Sequence, residues 1–424
     1  MEAGSYSDMK RRITITRVPF PHGTGFLSEP VPWGNGTDLD GNGLSSESQL
    51  IAASLGFVLG GGAETLLEDF GKYREALDWN QVLRLAQLHR IVAPLWVALK
   101  QAHLEDQIPE EVKRALLEGY MMNLAVDTVQ TQELSRLIRA FEEEAINLII
   151  LKGLPLHRLL FPAQEYPRGA NDIDVLFRRE DRDRSTQLLN RLNFVFHPEE
   201  GRAKEWYERF SNQFKFVKTQ GVRFPLMVEL HWSAMPDFFG AAGRIEDLLH
   251  VWEDSKTIDW EGVSLGILSD ENLLFYQAFH LFSDWNLLKL SVLVDFLRAV
   301  KVLSPNTSKE TLLEKGSLFG LGHMLSGALH LARSFYDFPE ARELEKLLAL
   351  PKVERSLLRT MILPERIMRS GEIGKKWGFL SFYPFDLIFG MNLDTFLSYW
   401  KYRFRRSRWF QPRALPDCPE QARR

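Results

Sequence analysis

Cysteine is nearly absent from this sequence, which has one thiol, Cys418, among its 424 residues. A single thiol excludes an internal disulfide framework and a zinc site built from cysteines. The first residues, Met1–Arg12, are polar and lack the apolar segment of a secretory signal. We therefore expect a protein of the reducing cytoplasm.

Long apolar runs are also missing. The richest candidate, 377–397, is interrupted by Pro384, Asp386, Gly390 and Asp394, so we expect no integral membrane association. An excess of basic charge is absent too, because the sequence has 52 lysines and arginines and 56 acids, which gives a net charge of −4. That balance excludes a chain-wide attraction to nucleic acid or to an anionic bilayer.

Local composition divides the chain into five regions, and its length suits two or three domains of about 150 residues. A first stretch rich in Gly, Pro, Ser and Asp predicts a flexible leader. The regions after it have either helical or strand-like patterns. The predicted regions are the leader 1–45, an N-terminal helical region 46–140, a core 141–267, a C-terminal helical region 268–370 and an aromatic, basic tail 371–424.

The period of the apolar residues changes at the start of the core. Spacings of three and four in "VLRLAQLHRIVAPLWVAL" indicate helices, whereas "INLIILKG", "DIDVLF", "QFKFVKT" and "FPLMVELHW" have the length and composition of strands. The pattern predicts an α/β or α+β core between helical regions. Helix starts are expected at Asp78, at Pro109 in a first turn, and at Ser269 or Asp270.

Two aspartates, Asp172 and Asp174, lie one residue apart in the strand-like run "DIDVLF". Because side chains alternate along a strand, both carboxylates face one side, about 7 Å apart, where they can converge on one or two divalent cations. Ile173 and Val175 then face the core. The alternative is an edge strand whose acidic face is merely solvated.

Three further features favour a site over a solvated edge. Lys152 and Gly153 end the preceding strand, where a glycine turn lets backbone amides approach a phosphate; an ordinary solvated turn is the alternative. Arg168 can hold phosphate oxygens or form a structural salt bridge. Glu229 supplies a third carboxylate, and three acids favour Mg²⁺ or Mn²⁺ over zinc.

Several other polar residues have two readings. His231 lies two residues after Glu229, so it either contacts an acceptor as a base or hydrogen-bonds an aspartate. His280 and Asp295 lie on apolar helix faces, where they are either buried and hydrogen-bonded or line an acceptor pocket. His89 and Trp232 are expected to pack in the core.

The motifs "LKGLPLHRLL", "PRGANDIDVLF", "VELHW", "DENLLFYQAFH" and "VLVDFLRAV" together resemble the nucleotidyltransferase superfamily related to DNA polymerase β. More closely, they resemble a family of uncharacterised bacterial nucleotidyltransferases, over about residues 80–300. The resemblance implies an α+β fold, with a small mixed-sheet nucleotidyltransferase core flanked by N- and C-terminal helical regions. It also implies catalytic roles for Asp172, Asp174 and Glu229, and phosphate-side roles for Gly153 and Arg168. The serine usual after the glycine turn is absent here.

The implied reaction moves an NMP group from a nucleoside triphosphate to an unidentified acceptor, with Mg²⁺ or Mn²⁺ bound by Asp172, Asp174 and Glu229 and with pyrophosphate released. Lys152 and Arg168 would neutralise the triphosphate. The acceptor is a small molecule, a peptide or a nucleic acid. The basic stretch 401–413 can contact nucleic acid, although a solvated terminus is favoured. The competing readings are a metal-dependent glycosyltransferase and a catalytically inactive nucleotide-binding protein.

Overall fold

A computed structural model gives the fold of the expected core and of the helical regions on both sides of it. The described residues are 44–348 and 368, without 163–165, 171, 199–203, 236–246, 248, 284–288, 319–320 and 334. The expected leader, apart from its last two residues, and the expected tail 371–424 lie outside the described residues.

Helices occupy the N-terminal part of the described chain. As predicted, Asp78 is an N-cap, because its carboxylate accepts hydrogen bonds from the backbone amides of Asn80 and Gln81. Pro109 differs from the prediction: its extended ψ of 137° places it just before its helix rather than in the first turn. The elements are Ser46–Val58, Ala63–Tyr73, Trp79–Leu88, Val92–Gln101, the 3₁₀ turn Glu105–Gln107 and the long helix Glu110–Glu143.

A single mixed sheet follows, with seven described strands in the order β3-β4-β5-β2-β1-β7-β6. At its centre, β2 pairs antiparallel with β1 and parallel with β5. The strands are β1 Leu148–Lys152, β2 Asp172–Phe177, β3 Val195–Phe196, β4 Gln213–Lys218, β5 Leu226–His231, β6 Lys256–Trp260 and β7 Val263–Ile267.

The remaining helices connect the strands or follow the sheet. Ser269 caps the first helix after the sheet, since its hydroxyl accepts a hydrogen bond from the Asn272 amide. The elements are Leu154–Leu160, the 3₁₀ turn Arg179–Asp181, Arg182–Arg191, Lys204–Phe210, Asp270–Ser283, Leu290–Leu303, the 3₁₀ turn Ser304–Asn306, Lys309–Gly316, Leu321–Arg333 and Pro339–Leu347. Mixed sheet and flanking helices together make the α+β fold that the sequence predicts.

One face of the sheet is apolar and packs against the long helix. Phe141 of that helix shares a buried cluster with Ile173 and Val175 of β2 and with Val228 and Leu230 of β5. Burying side chains of this size stabilises the fold by about 1.5 to 3 kcal/mol each. The residues that alternate with them must therefore face the other side of the sheet, which is where the acids lie.

Two smaller predictions concern burial and membranes. His89 is fully buried, as expected, and its Nε2 lies 2.9 Å from the carbonyl oxygen of Met368; Trp232 is buried as well. Among the described residues, no helix combines the length and the apolar character needed to cross a bilayer.

Candidate active site

A row of charged side chains crosses the four central strands on the face opposite the apolar core. The strand register pairs Lys152 of β1 with Asp174 of β2, Asp174 with Glu229 of β5, and Glu229 with Lys215 of β4. Side chains at paired positions of adjacent strands are neighbours on the same face. The two central acids thus lie between two lysines.

Lys152 reaches this face through an irregularity in β1. The register between β1 and β2 shifts between Ile150 and Lys152, so that one extra residue, Leu151, is inserted. Without the shift, Lys152 would share a face with Ile150, which belongs to the apolar cluster. The bulge therefore turns the ammonium group toward the acids.

Lys152 contacts both aspartates. Its Nζ lies 3.1 Å from Oδ2 of Asp172 and 3.1 Å from Oδ2 of Asp174. Hydrogen-bond geometry is met only toward Asp172, and Oδ2 of the fully buried Asp174 receives no hydrogen bond from the described residues. Asp174 Oδ2 is thus ion-paired with Lys152 without a hydrogen bond, and the Asp172 side chain is 28% exposed.

His231 closes the other side of Asp174. Its Nε2 lies 3.1 Å from Oδ1 of Asp174 and 3.8 Å from Oε2 of Glu229, and Lys215 Nζ lies 3.0 Å from Oε1 of Glu229. The Asn212 amide nitrogen lies 3.5 Å from the other ring nitrogen of His231. The sequence left open whether His231 hydrogen-bonds an aspartate, and the structure shows this hydrogen bond with Asp174.

Burial and the neighbouring charges set the pKa values of these groups. Burial raises the pKa of Asp174 to about 6, despite Lys152. Burial also opposes ionisation of Asp172 and Glu229, but Lys152 holds the pKa of Asp172 below its ordinary value, and His231 with Lys152 holds that of Glu229 well below. Burial opposes protonation of His231, yet both of its acidic partners raise its pKa. The carboxylates of Asp172, Asp174 and Glu229 form the acidic row of this site. The neighbouring cations thus keep most of this acidic row ionised.

Gly153 makes the turn from β1 into the short helix Leu154–Leu160. Its backbone, at φ 97° and ψ −151°, lies in a region that essentially only glycine adopts. A side chain here would strain the turn that follows Lys152. The predicted glycine turn is therefore present, directly beside the acidic row.

The Arg168 side chain is mostly buried and forms an ion pair inside the protein. Its Nη2 lies 2.7 Å from Oδ2 of Asp295, on the helix Leu290–Leu303. Burial raises the pKa of Asp295 even against this arginine, which indicates a poorly hydrated pair. The structural salt bridge considered from the sequence is present, and any contact of Arg168 with a phosphate stays a prediction.

The long helix supplies two residues that sequence reasoning missed. Both oxygens of Asp127 accept backbone hydrogen bonds, from Arg168 at 2.7 Å and from Gly169 at 2.8 Å, and the Gln130 amide donates to the Ala170 carbonyl. These contacts hold the segment that leads into Asp172. Their only signal in the sequence is the spacing of three, which puts two polar side chains on one face of a helix.

The helix Asp270–Ser283 brings Tyr276 and His280 near the acidic row. Their rings are stacked, with centroids 6.5 Å apart and planes 8° from parallel. Burial, with the charge of Lys152, lowers the pKa of His280 to about 3, so its imidazole is neutral. Burial and the Asp174 charge raise the pKa of Tyr276. Both uncharged groups are close enough to feel the site's charges.

The carboxylates and the imidazole can hold a metal ion. One ligand atom from each of Asp174, Glu229 and His231 lies within 4.8 Å of the others, and all three residues are buried. Asp172 is outside this compact group, on the far side of Lys152, although the sequence places it among the ligands. Its role as a ligand stays a prediction.

Replacing Asp127 with alanine is expected to cost about 2 kcal/mol of unfolding free energy. Two backbone amides would lose their acceptors, and each unsatisfied group costs about 1 to 3 kcal/mol. Urea denaturation measures the loss. Asp183→Ala, at a carboxylate 73% exposed, serves as the control and should change stability little. Equal effects of the two changes would contradict the anchoring role.

The cost of Asp127→Ala should also depend on pH. Burial, against the backbone hydrogen bonds, raises the pKa of Asp127 from 3.8 to about 6. The folded protein therefore binds more protons than the unfolded chain between these values, and this contribution to stability is lost as the pH rises through 6. The alanine variant should thus lose roughly 1 kcal/mol more at pH 5 than at pH 7. Urea curves at both pH values test this, and an opposite difference would refute it.

The site brings together a glycine turn, two aspartates on one strand and a glutamate on the neighbouring strand, which is the combination expected from the resemblance to nucleotidyltransferases. The family described as uncharacterised nucleotidyltransferase matches residues 75–337, and the chain belongs to that family. The match contains every residue of the acidic row and the Arg168–Asp295 pair. No curated protein matches the chain.

Proposed function

We propose that the protein transfers a nucleoside monophosphate from a nucleoside triphosphate to an acceptor and releases pyrophosphate. The observation that carries this proposal is the placement of Asp174 beside Glu229, with Asp172 two residues away on the same face and Lys152 between the aspartates. Such a site gathers three carboxylates on one face of the central strands. It suits a substrate whose own negative charge requires cations.

Asp174 and Glu229, with Asp172 and His231 beside them, would hold Mg²⁺ or Mn²⁺, and the ion would supply Lewis-acid stabilisation of the phosphate charge. Mg²⁺ prefers an all-oxygen set, whereas Mn²⁺ also accepts imidazole. The close grouping of one ligand atom each from Asp174, Glu229 and His231 supports the fit.

The acceptor's oxygen would attack the α-phosphorus in line. The bond from this phosphorus to the acceptor forms, and its bond to the oxygen bridging the β-phosphorus breaks. Glu229, held ionised by its cationic neighbours, is placed to accept the acceptor's proton, with His231 positioning Asp174 or sharing that role. Lys152 and the backbone turn at Gly153 would contact the departing pyrophosphate.

The described N-terminal region supports this reaction over a glycosyltransferase. Glycosyltransferases that use an Asp-x-Asp motif place a nucleotide-binding layer of alternating strands and helices before it, but the described residues 46–143 contain helices and turns. The presence of all three acids, Asp172, Asp174 and Glu229, argues against a degenerate binding protein. The proposal includes a location in the reducing cytoplasm. The basic stretch 401–413, for which a solvated terminus is favoured over nucleic-acid contact, lies outside the described residues.

The test incubates the purified protein with each of the four nucleoside triphosphates, labelled at the α-phosphate, with Mg²⁺ or Mn²⁺ and fractionated lysate. The expected result is transfer of label to one acceptor fraction with equimolar pyrophosphate. Turnover of a sugar nucleotide alone would favour the glycosyltransferase. Binding of nucleotide without pyrophosphate in any fraction would favour the inactive binder.

A further inference from the structure

Lys152 occupies the position between the two aspartates that a bridging cation would need. Its Nζ is 3.1 Å from the Oδ2 atom of each acid, so the same two oxygens face one ammonium group. A divalent ion bound by those oxygens requires contacts of about 2.0 to 2.6 Å. An ammonium nitrogen and a divalent ion cannot both sit between the same pair of oxygens at these distances.

Electrostatics require some cation at this position. Asp172 and Asp174 face one side of β2, and Asp174 is fully buried. Two carboxylates this close repel each other, and burial adds a desolvation cost to the charged forms. Lys152 offsets both costs in the protein without metal. A divalent ion, with twice the charge, would offset them more strongly.

The surroundings of Lys152 differ from those of the other buried lysine in the sheet. The Lys152 side chain is 16% exposed and lies at the end of β1, next to the Gly153 turn. Lys218 is 3% exposed and pairs with Glu133 of the long helix, on a different part of the sheet. Lys152 therefore has a route toward solvent, and Lys218 offers a matched comparison.

We propose that Lys152 and a divalent cation are alternative occupants of the Asp172–Asp174 pair, and that the arriving ion displaces the ammonium group toward the triphosphate. This inference rests on the proposed function, because it names a step in assembling that site. Lys152 is thus a positioning residue in the metal-free protein and a phosphate ligand in the loaded one. The exchange delivers a positive charge to the substrate only when the ion is in place.

The first test measures Mg²⁺ and Mn²⁺ binding to the full chain by calorimetry, without nucleotide. Lys152→Met keeps the unbranched side chain up to the position of Cε and removes the ammonium group, so the ion no longer has a competitor. The affinity for the ion should rise about tenfold or more. Lys218→Met should leave ion affinity unchanged although it too loses a buried charge. Unchanged or weaker ion binding by Lys152→Met would overturn the exchange.

The second test uses the unaltered protein, so it does not depend on how any variant folds. An acetylating reagent is applied with and without Mg²⁺, and modification of each lysine is read by mass spectrometry. Lys152 should become several-fold more reactive when Mg²⁺ is added, and Lys218 should not change. Unchanged or reduced Lys152 reactivity would overturn the proposal.

The two proposals fail in different ways. If ions bind equally to both proteins while label is still transferred from a nucleoside triphosphate, the exchange is wrong and the nucleotidyl transfer stands. If Lys152 is displaced by Mg²⁺ but no triphosphate yields pyrophosphate with any acceptor fraction, the exchange stands and the proposed reaction is wrong. If no divalent ion binds at all, the exchange is wrong as well.

Discussion

Asp174→Asn is expected to lower nucleotidyl transfer by at least about a thousandfold, which corresponds to about 4 kcal/mol of transition-state stabilisation. Asp174 is the acid that the other groups share: Lys152 lies on one side of it, His231 on the other, and Glu229 opposite in the register. Asparagine keeps the shape and removes one negative charge. The ion and both cationic neighbours would then lose their common partner.

The measurement is the initial rate of labelled product formation, with ion binding measured on the same samples. Asp259→Asn provides the matched control, because Asp259 is an exposed aspartate on β6 of the same sheet and should leave the rate unchanged. Circular dichroism checks that both variants are folded. A folded Asp174→Asn protein with nearly normal transfer would remove the basis of the proposed function.

Arg168→Leu is expected to destabilise the protein by about 3 to 5 kcal/mol. The change leaves Asp295 buried without its 2.7 Å partner, and removing one member of a buried ion pair costs that much because an uncompensated charge remains. Chemical denaturation measures the loss. A change below about 1 kcal/mol would mean that the pair is solvated.

A second variant separates the structural role of Arg168 from a substrate role. Arg168→Leu with Asp295→Leu removes both charges, and replacing a buried ion pair with apolar groups is often neutral for stability. The double variant should therefore regain most of the lost stability. If Arg168 also contacts the triphosphate, the KM of the double variant for the nucleotide stays raised although its stability is restored. A normal KM in the restored protein would limit Arg168 to the salt bridge.

The faces of the central strands could be predicted from the sequence, because they depend only on alternation. Asp172 and Asp174 alternate with Ile173 and Val175 in β2, and the structure places the aliphatic pair in the core. Glu229 follows the same rule in β5. A pattern with a period of two and a buried apolar set leaves one arrangement of faces.

The surroundings of the acids could not be predicted in the same way. The bulge at Leu151 reverses the face of Lys152, and no residue type in "LIILK" marks a bulge. Asp127 acts on a segment about forty positions later in the chain. Such contacts depend on how a helix lies across the sheet, which apolar periodicity does not encode.

The long helix joins two parts of the protein that the sequence separates. Its 34 residues span about 50 Å, and its middle carries Asp127 and Gln130, while its C-terminal turns carry Phe141 into the sheet's core. A shortened protein that began at the first strand would lose the packing on the apolar face together with the anchor of the segment that leads into β2. The smallest stable fragment is therefore expected to include this helix at least from the turn before Asp127, because that part of the helix and the sheet form one structural unit.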